Sequence, residues 1–184
     1  SRNLISPEDL YLDLGLGAQR SVHVFAGYRL FNWTATEAFH PADVVNSRNF
    51  DSDLENLEKM GEMTAGLEWR LPMGELGLYF FPHYERPRYP GSENRLGPGI
   101  TLGRPRWVDG QGDEWGAQYG IRWSQTFDSA DVTVFAVHHM DRSTPLVGTT
   151  NFGTFPVLGT VPLDANFVPH LYTVVDYGFN YQQA

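Results

Sequence analysis

Apolar and polar residues alternate with a period of two in seven blocks along the chain, the pattern of strands that show different chemistry to their two sides. In Leu10–Leu16 the four leucines share one face and Tyr11, Asp13 and Gly15 the other. From Ser21 to Leu30, Val22, Val24, Ala26, Tyr28 and Leu30 oppose His23, Phe25, Gly27 and Arg29. The third block, Met63–Leu71, sets Ala65, Leu67 and Trp69 against Thr64, Gly66, Glu68 and Arg70. The remaining strands are predicted over 76–85, 115–124, 132–139 and 170–181, where Leu78, Phe80, Ile121, Trp123, Val134, Val175 and Phe179 mark the apolar side. Pro82 makes the upper end of the fourth irregular, because proline cannot donate to a ladder.

The connections alternate short and long. Tight turns are predicted at 17–20, 72–74 and 128–131, and extended loops follow the second, fourth and sixth strands. Blocks of about ten residues are long enough for a tilted strand to cross a bilayer, and short turns at one end with long loops at the other is the asymmetry of outer-membrane barrels. The expected fold class is therefore all-β: an antiparallel up-and-down transmembrane β-barrel, with residues 1–184 forming one domain. Trp33, Tyr84, Trp115 and Tyr181 fall near strand ends, as interfacial aromatic girdles do. Bacterial barrels close with an even number of strands, so seven predicted strands point to a segment of a larger barrel.

Composition narrows the partners. A formal charge of −9, with no run of Lys and Arg, argues against nucleic acid. The absence of cysteine removes thiol nucleophiles, disulfides and cysteine metal sites. No apolar run reaches the roughly 18 residues of a spanning helix, whereas a mean hydropathy of −0.35 is compatible with strands of alternating polarity. Adjacent histidines on a strand point to opposite faces, so His138 and His139 cannot chelate together; no metal site or cofactor is expected. Gly97-Pro98-Gly99 and Gly110-Gln111-Gly112 are turn formers and not phosphate loops, and no nucleophile lies in a catalytic context, so no enzyme activity is expected.

Four short motifs carry a resemblance: Pro41-Ala42-Asp43-Val44-Val45-Asn46, Pro82-His83-Tyr84-Glu85-Arg86-Pro87, Gly112-Asp113-Glu114-Trp115-Gly116 and Asp141-Arg142-Ser143-Thr144-Pro145. With a strand before the first and an acidic, helix-compatible stretch at Asp51–Met60, they resemble a porin-like family of Gram-negative outer-membrane β-barrels, many of whose members are known only as a domain of unknown function. The resemblance implies a location in the bacterial outer membrane and a barrel larger than this chain. The chain departs from the family in its start and in lacking a final aromatic strand terminus.

Under this reading the function is passive or facilitated passage of small solutes. Arg29, Glu68, Arg70, Arg122 and Asp176 all fall opposite the apolar faces, where charge avoids lipid, and are the expected pore-lining residues. For Glu68 and Arg70 the plainer expectation is pairing with neighbouring charges. Residues 34–61 are a candidate constriction loop containing a short helix, with Asp51, Asp53, Glu55 and Glu58 setting a field across the passage. The alternative for that loop is a solvated extracellular segment. Expected partners are membrane lipid, lipopolysaccharide and a small-molecule solute, with other outer-membrane proteins or further copies of the chain also compatible. Two rival functions remain: a soluble β-sandwich or barrel binding a carbohydrate or lipid, and a structural docking component of the outer membrane.

Overall fold

The computed structural model describes residues 8–33, 44–50, 58–89, 102–108, 114–156 and 159–183. Its strands, in chain order, are β1 (Leu10–Leu16), β2 (Val22–Arg29), β3 (Arg48–Asn49), β4 (Glu58–Lys59), β5 (Glu62–Leu71), β6 (Gly74–Phe81), β7 (Arg106–Trp107), β8 (Gln118–Phe127), β9 (Ala130–Met140), β10 (Leu146–Phe155), β11 (Gly159–Leu171) and β12 (Thr173–Gln183). Seven of them form one antiparallel sheet in the order β1-β2-β5-β6-β8-β9-β12, an up-and-down meander that corresponds to the seven alternating blocks. A 3-10 turn at Ala18–Arg20, Pro72-Met73 and Asp128-Ser129 join strands at one end. The long connections leave from and return to the other.

Register decides which side of each strand faces where, since a slip of one residue would exchange the two faces. Three cross-strand rows run over the whole sheet. Leu12, Ala26, Ala65, Phe80, Tyr119, His138 and Val175 make one; Leu14, Val24, Leu67, Leu78, Ile121, Ala136 and Tyr177 the next; Leu16, Val22, Trp69, Leu76, Trp123, Val134 and Phe179 the third. All but His138 are apolar or aromatic. Many are well exposed, among them Leu12, Trp69, Ile121, Tyr177 and Phe179, and no other element of the described chain covers this outer face.

The opposite, inner face holds the core. Phe25, Tyr79, Phe81, Phe135 and Val137 project from β2, β6 and β9 and pack with Phe31, Trp33 and Val45 from the loop after β2. Glycines leave room for these rings. Phe25 lies over its cross-strand neighbour Gly66, and Phe135 over Gly178, so closely that a Cβ would stand 2.3 and 2.0 Å from ring carbons. Ring-over-glycine pairs of this kind pin strand register.

Four features bear on the expected fold. First, the all-β antiparallel sheet is present but open among the described residues: β1 and β12 are its two ends and do not pair with each other. Second, Asp51–Leu57 lie outside the described residues, and Glu58 and Lys59 form the short strand β4 instead of ending a helical turn. Third, the span expected as a loop after the sixth strand contains the β10–β11 hairpin, so His170 ends β11 and the last strand of the main sheet starts at Thr173. Pro162 and Pro169, and a register shift at Asn151/Phe152, break the alternation that marks the other strands. Fourth, Trp33 and Tyr84 turn inward and are buried, leaving only Trp115 and Tyr181 of the four expected girdle aromatics exposed.

Substituting Gly66→Ala or Gly178→Ala forces a ring aside and should cost about 1–3 kcal/mol. Gly120→Ala, whose Cβ would meet its nearest neighbour at an ordinary 3.4 Å, should be close to neutral. Urea unfolding of the three variants measures the contrast.

Candidate functional site: the covered inner face

Two polar assemblies flank the aromatic cluster. The larger is at the long-loop end, where β5, β8 and β9 present Glu62, Gln118 and the segment after Met140. Arg142 sits at its centre. Its Nη2 donates to Glu62 Oε2 at 3.0 Å, Nη1 to Gln118 Oε1 and to the Met140 carbonyl at 2.6 Å each, and Nε to the Val45 carbonyl at 3.0 Å. The guanidinium also lies over the Tyr84 ring at 4.8 Å. Glu62 is fully buried and takes a further bond from the Ser47 N–H at 3.0 Å. A buried carboxylate is tolerated only when paired and hydrogen-bonded, and these contacts supply both.

The same assembly fixes the loop that follows β2. Asn46 accepts from the Phe31 N–H and donates to the Met60 carbonyl, 2.9 Å in each case, while the Ser47 hydroxyl donates to the Glu85 carbonyl. Val45, Asn46 and Ser47 are buried against the sheet. The described part of the 34–61 loop is thus folded onto the inner face. Three motifs distant in the chain meet here: Val44-Val45-Asn46, Tyr84-Glu85 and Asp141-Arg142.

Asp141 closes the turn that carries Arg142, accepting from the Ser143 N–H at 2.8 Å. Burial pushes its carboxyl up, but hydrogen bonds from Ser143 and Tyr172 outweigh that and hold it below the usual carboxylate range. Burial likewise raises the Tyr84 hydroxyl well above its ordinary value, which keeps it neutral.

The smaller assembly lies toward the tight turns. Arg29 donates to Glu68 at 2.9 Å, Tyr79 Oη donates to the same oxygen at 3.2 Å, and the Arg29 guanidinium rests 4.3 Å from the Phe25 ring centre. Glu75 stands 3.8 Å from Arg70 and 3.9 Å from Arg122. Nearer the long-loop end, Asp176 meets His139 Nε2 at 2.8 Å. All five expected pore-lining residues therefore project from the inner face. The structure brings Arg29 and Glu68 together, links Arg70 and Arg122 through Glu75, and gives Asp176 a histidine. Arg70 is the outlier, mostly exposed beside the Pro72-Met73 turn.

Of the acidic loop residues, Glu58 is exposed and accepts from Asn49 Nδ2 at 3.1 Å; Asp51, Asp53 and Glu55 lie outside the described residues. His138 and His139 do point to opposite faces, the first stacked on Tyr119 outside and the second buried inside. Among the described residues no group of three metal-ligating side chains converges.

Sequence reasoning assigns no role to Glu62, Gln118 or Arg142, although Arg142 lies in one of the four short motifs. Glu62 continues the inner-face parity of Thr64 and Glu68 beyond the predicted strand, which was the available signal. Arg142 follows the end of its strand, where parity no longer says which way a side chain turns. Comparison with protein-family models, curated proteins and solved structures finds no match to this chain.

Replacing Arg142 by Met leaves the Glu62 carboxylate buried without its cation and should cost about 3–5 kcal/mol, whereas pairing it with Glu62→Leu should restore a large part of the loss. A double-mutant unfolding cycle reads the coupling. Because the folded Asp141 carboxyl lies below its ordinary value of 3.8, its stabilisation is present above that pH and disappears as pH falls through the folded value. Asp141→Asn should accordingly be less stable than the parent at neutral pH, with the gap narrowing below pH 3.8 in an acid unfolding series.

Proposed function

We propose that the chain is a wall segment of a porin-like β-barrel in the bacterial outer membrane, serving passage of small solutes. The observation that carries this reading is the sorting of the two faces: three apolar rows seven strands wide lie exposed outside, and charged residues gather inside. In water such a face is a liability far beyond the patch size usual for monomers. Against hydrocarbon it is stable. The 10 residues of β5, tilted as barrel strands are, cover about 25 Å, which matches the apolar band of such barrels.

Strand direction supports a larger assembly. Neighbours in the meander alternate in direction, so the first and seventh strands of the sheet, β1 and β12, run the same way. An all-antiparallel barrel therefore needs an odd number of further strands between them. Lipid and lipopolysaccharide would contact the three rows, and the polar inner face would meet the solute.

A second reading is favoured by the inner aromatic cluster. Phe31, Trp33 and the Val45–Ser47 segment fill the space over the sheet, as in a barrel wall that anchors or docks and carries no current. In the soluble alternative, a second layer of protein would cover the outer rows.

Size-exclusion profiles with and without detergent separate the membrane and soluble readings. The membrane reading expects the folded protein to be monodisperse only with detergent; a monodisperse species in plain buffer contradicts it. Planar-bilayer recordings then decide between passage and docking. Passage expects conductance whose ion selectivity shifts in Arg29→Ala and Arg122→Ala, while a folded, inserted and silent protein favours docking.

A further inference from the structure

Below the aromatic cluster, at the tight-turn end of the inner face, a half-open hollow of about 260 Å³ is lined mainly by polar groups. Register builds its floor. Across β9 and β12, Thr133 faces Asn180 and Asp131 faces Gln182, and Arg122 reaches in from β8. Trp33 forms a wall, held in place by Asn180 Nδ2, which donates to the Trp33 carbonyl at 2.6 Å. Arg122 Nε is buried and makes no hydrogen bond within the described structure.

The chemistry of this lining selects a class of ligand. Asp131 and the nearby Glu75 disfavour an anion, while Arg122 disfavours a cation. Amides and hydroxyls both donate and accept, so their complement is a neutral molecule with several groups that also do both. The indole offers an apolar, polarisable wall for the C–H side of such a molecule. The hollow has room for about nine waters at liquid density, which fits one small ring and not a drug-sized ligand. We propose that this hollow is a binding subsite for a neutral polyhydroxylated solute of monosaccharide size. The proposal names the solute class for the passage reading and rests on it for its biological role.

The test is saturation-transfer NMR of D-glucose with the folded protein, in a detergent without a sugar headgroup or in whichever medium keeps it folded. Saturable binding in the millimolar range is expected, with glucuronate and inorganic phosphate binding at least tenfold more weakly. Asn180→Leu and Gln182→Leu should each weaken glucose binding about tenfold, the loss of roughly one hydrogen bond. Gln182 lies exposed near the end of β12, so its variant keeps the test valid even if Asn180→Leu loosens the Trp33 wall. No glucose binding, tighter binding of either anion, or glucose binding untouched by both substitutions overturns the proposal. Binding and permeation fail separately. A silent protein that binds glucose loses the passage reading and keeps the subsite, whereas a conducting one that ignores glucose keeps passage and loses the subsite.

Discussion

A pleated sheet has two faces and a period of two, so every residue is committed to one side once pairing register is set. In this chain that constraint operates across seven strands at once. Each ladder in the meander is registered so that Leu14, Val24, Leu67, Leu78, Ile121, Ala136 and Tyr177 stand in a single row, and a slip in any one strand would bring apolar or aromatic side chains among the inner charges. The ring-over-glycine pairs Phe25–Gly66 and Phe135–Gly178 oppose such slips from the inner side. The rest of the structure follows from this sorting: an outer face on which many apolar side chains lie exposed, and an inner face on which charges and loops find partners within the protein.

The inner face meets that need by dividing its charges between two ends. At the long-loop end, Glu62 and Arg142 are both buried, and their desolvation is offset only because Gln118, Ser47 and two backbone carbonyls complete their hydrogen bonds. At the tight-turn end the contacts are looser. Arg122 stands 3.9 Å from Glu75, and the polar floor around it is half-open. A buried, hydrogen-bonded assembly at one end and an accessible polar hollow at the other are what distinguish the two ends of this face. The aromatic cluster of Phe31, Trp33, Tyr79 and Phe135 lies between them.

The seven strands of the main sheet were legible because each carries its alternation for several residues, and the tight turns between them are short and rich in Gly, Pro or Asp. Sidedness was legible for the same reason, down to Arg29, Glu68, Arg122 and Asp176 on the inner face. The β10–β11 hairpin was not. Its threonines, glycines and prolines give no clear alternation, and the pairing that makes it a hairpin is a tertiary fact. Trp33 and Tyr84 were read as girdle residues since strand-end position is visible in sequence and direction is not. The Arg142 assembly was hidden for a stronger physical reason: its members are separated by up to 97 residues and are united only when loops from three connections pack together.

The central claim is that hydrocarbon, and not protein or water, touches the outer rows. Trp69 and Trp123 lie in the same outer row, and Trp33 lies inside. Their fluorescence in vesicles containing lipids brominated along the acyl chain reports contact directly. In variants that retain one of these tryptophans, the account predicts strong quenching of Trp69 and Trp123 and little of Trp33; equal protection of all three in the folded, vesicle-bound protein would contradict it.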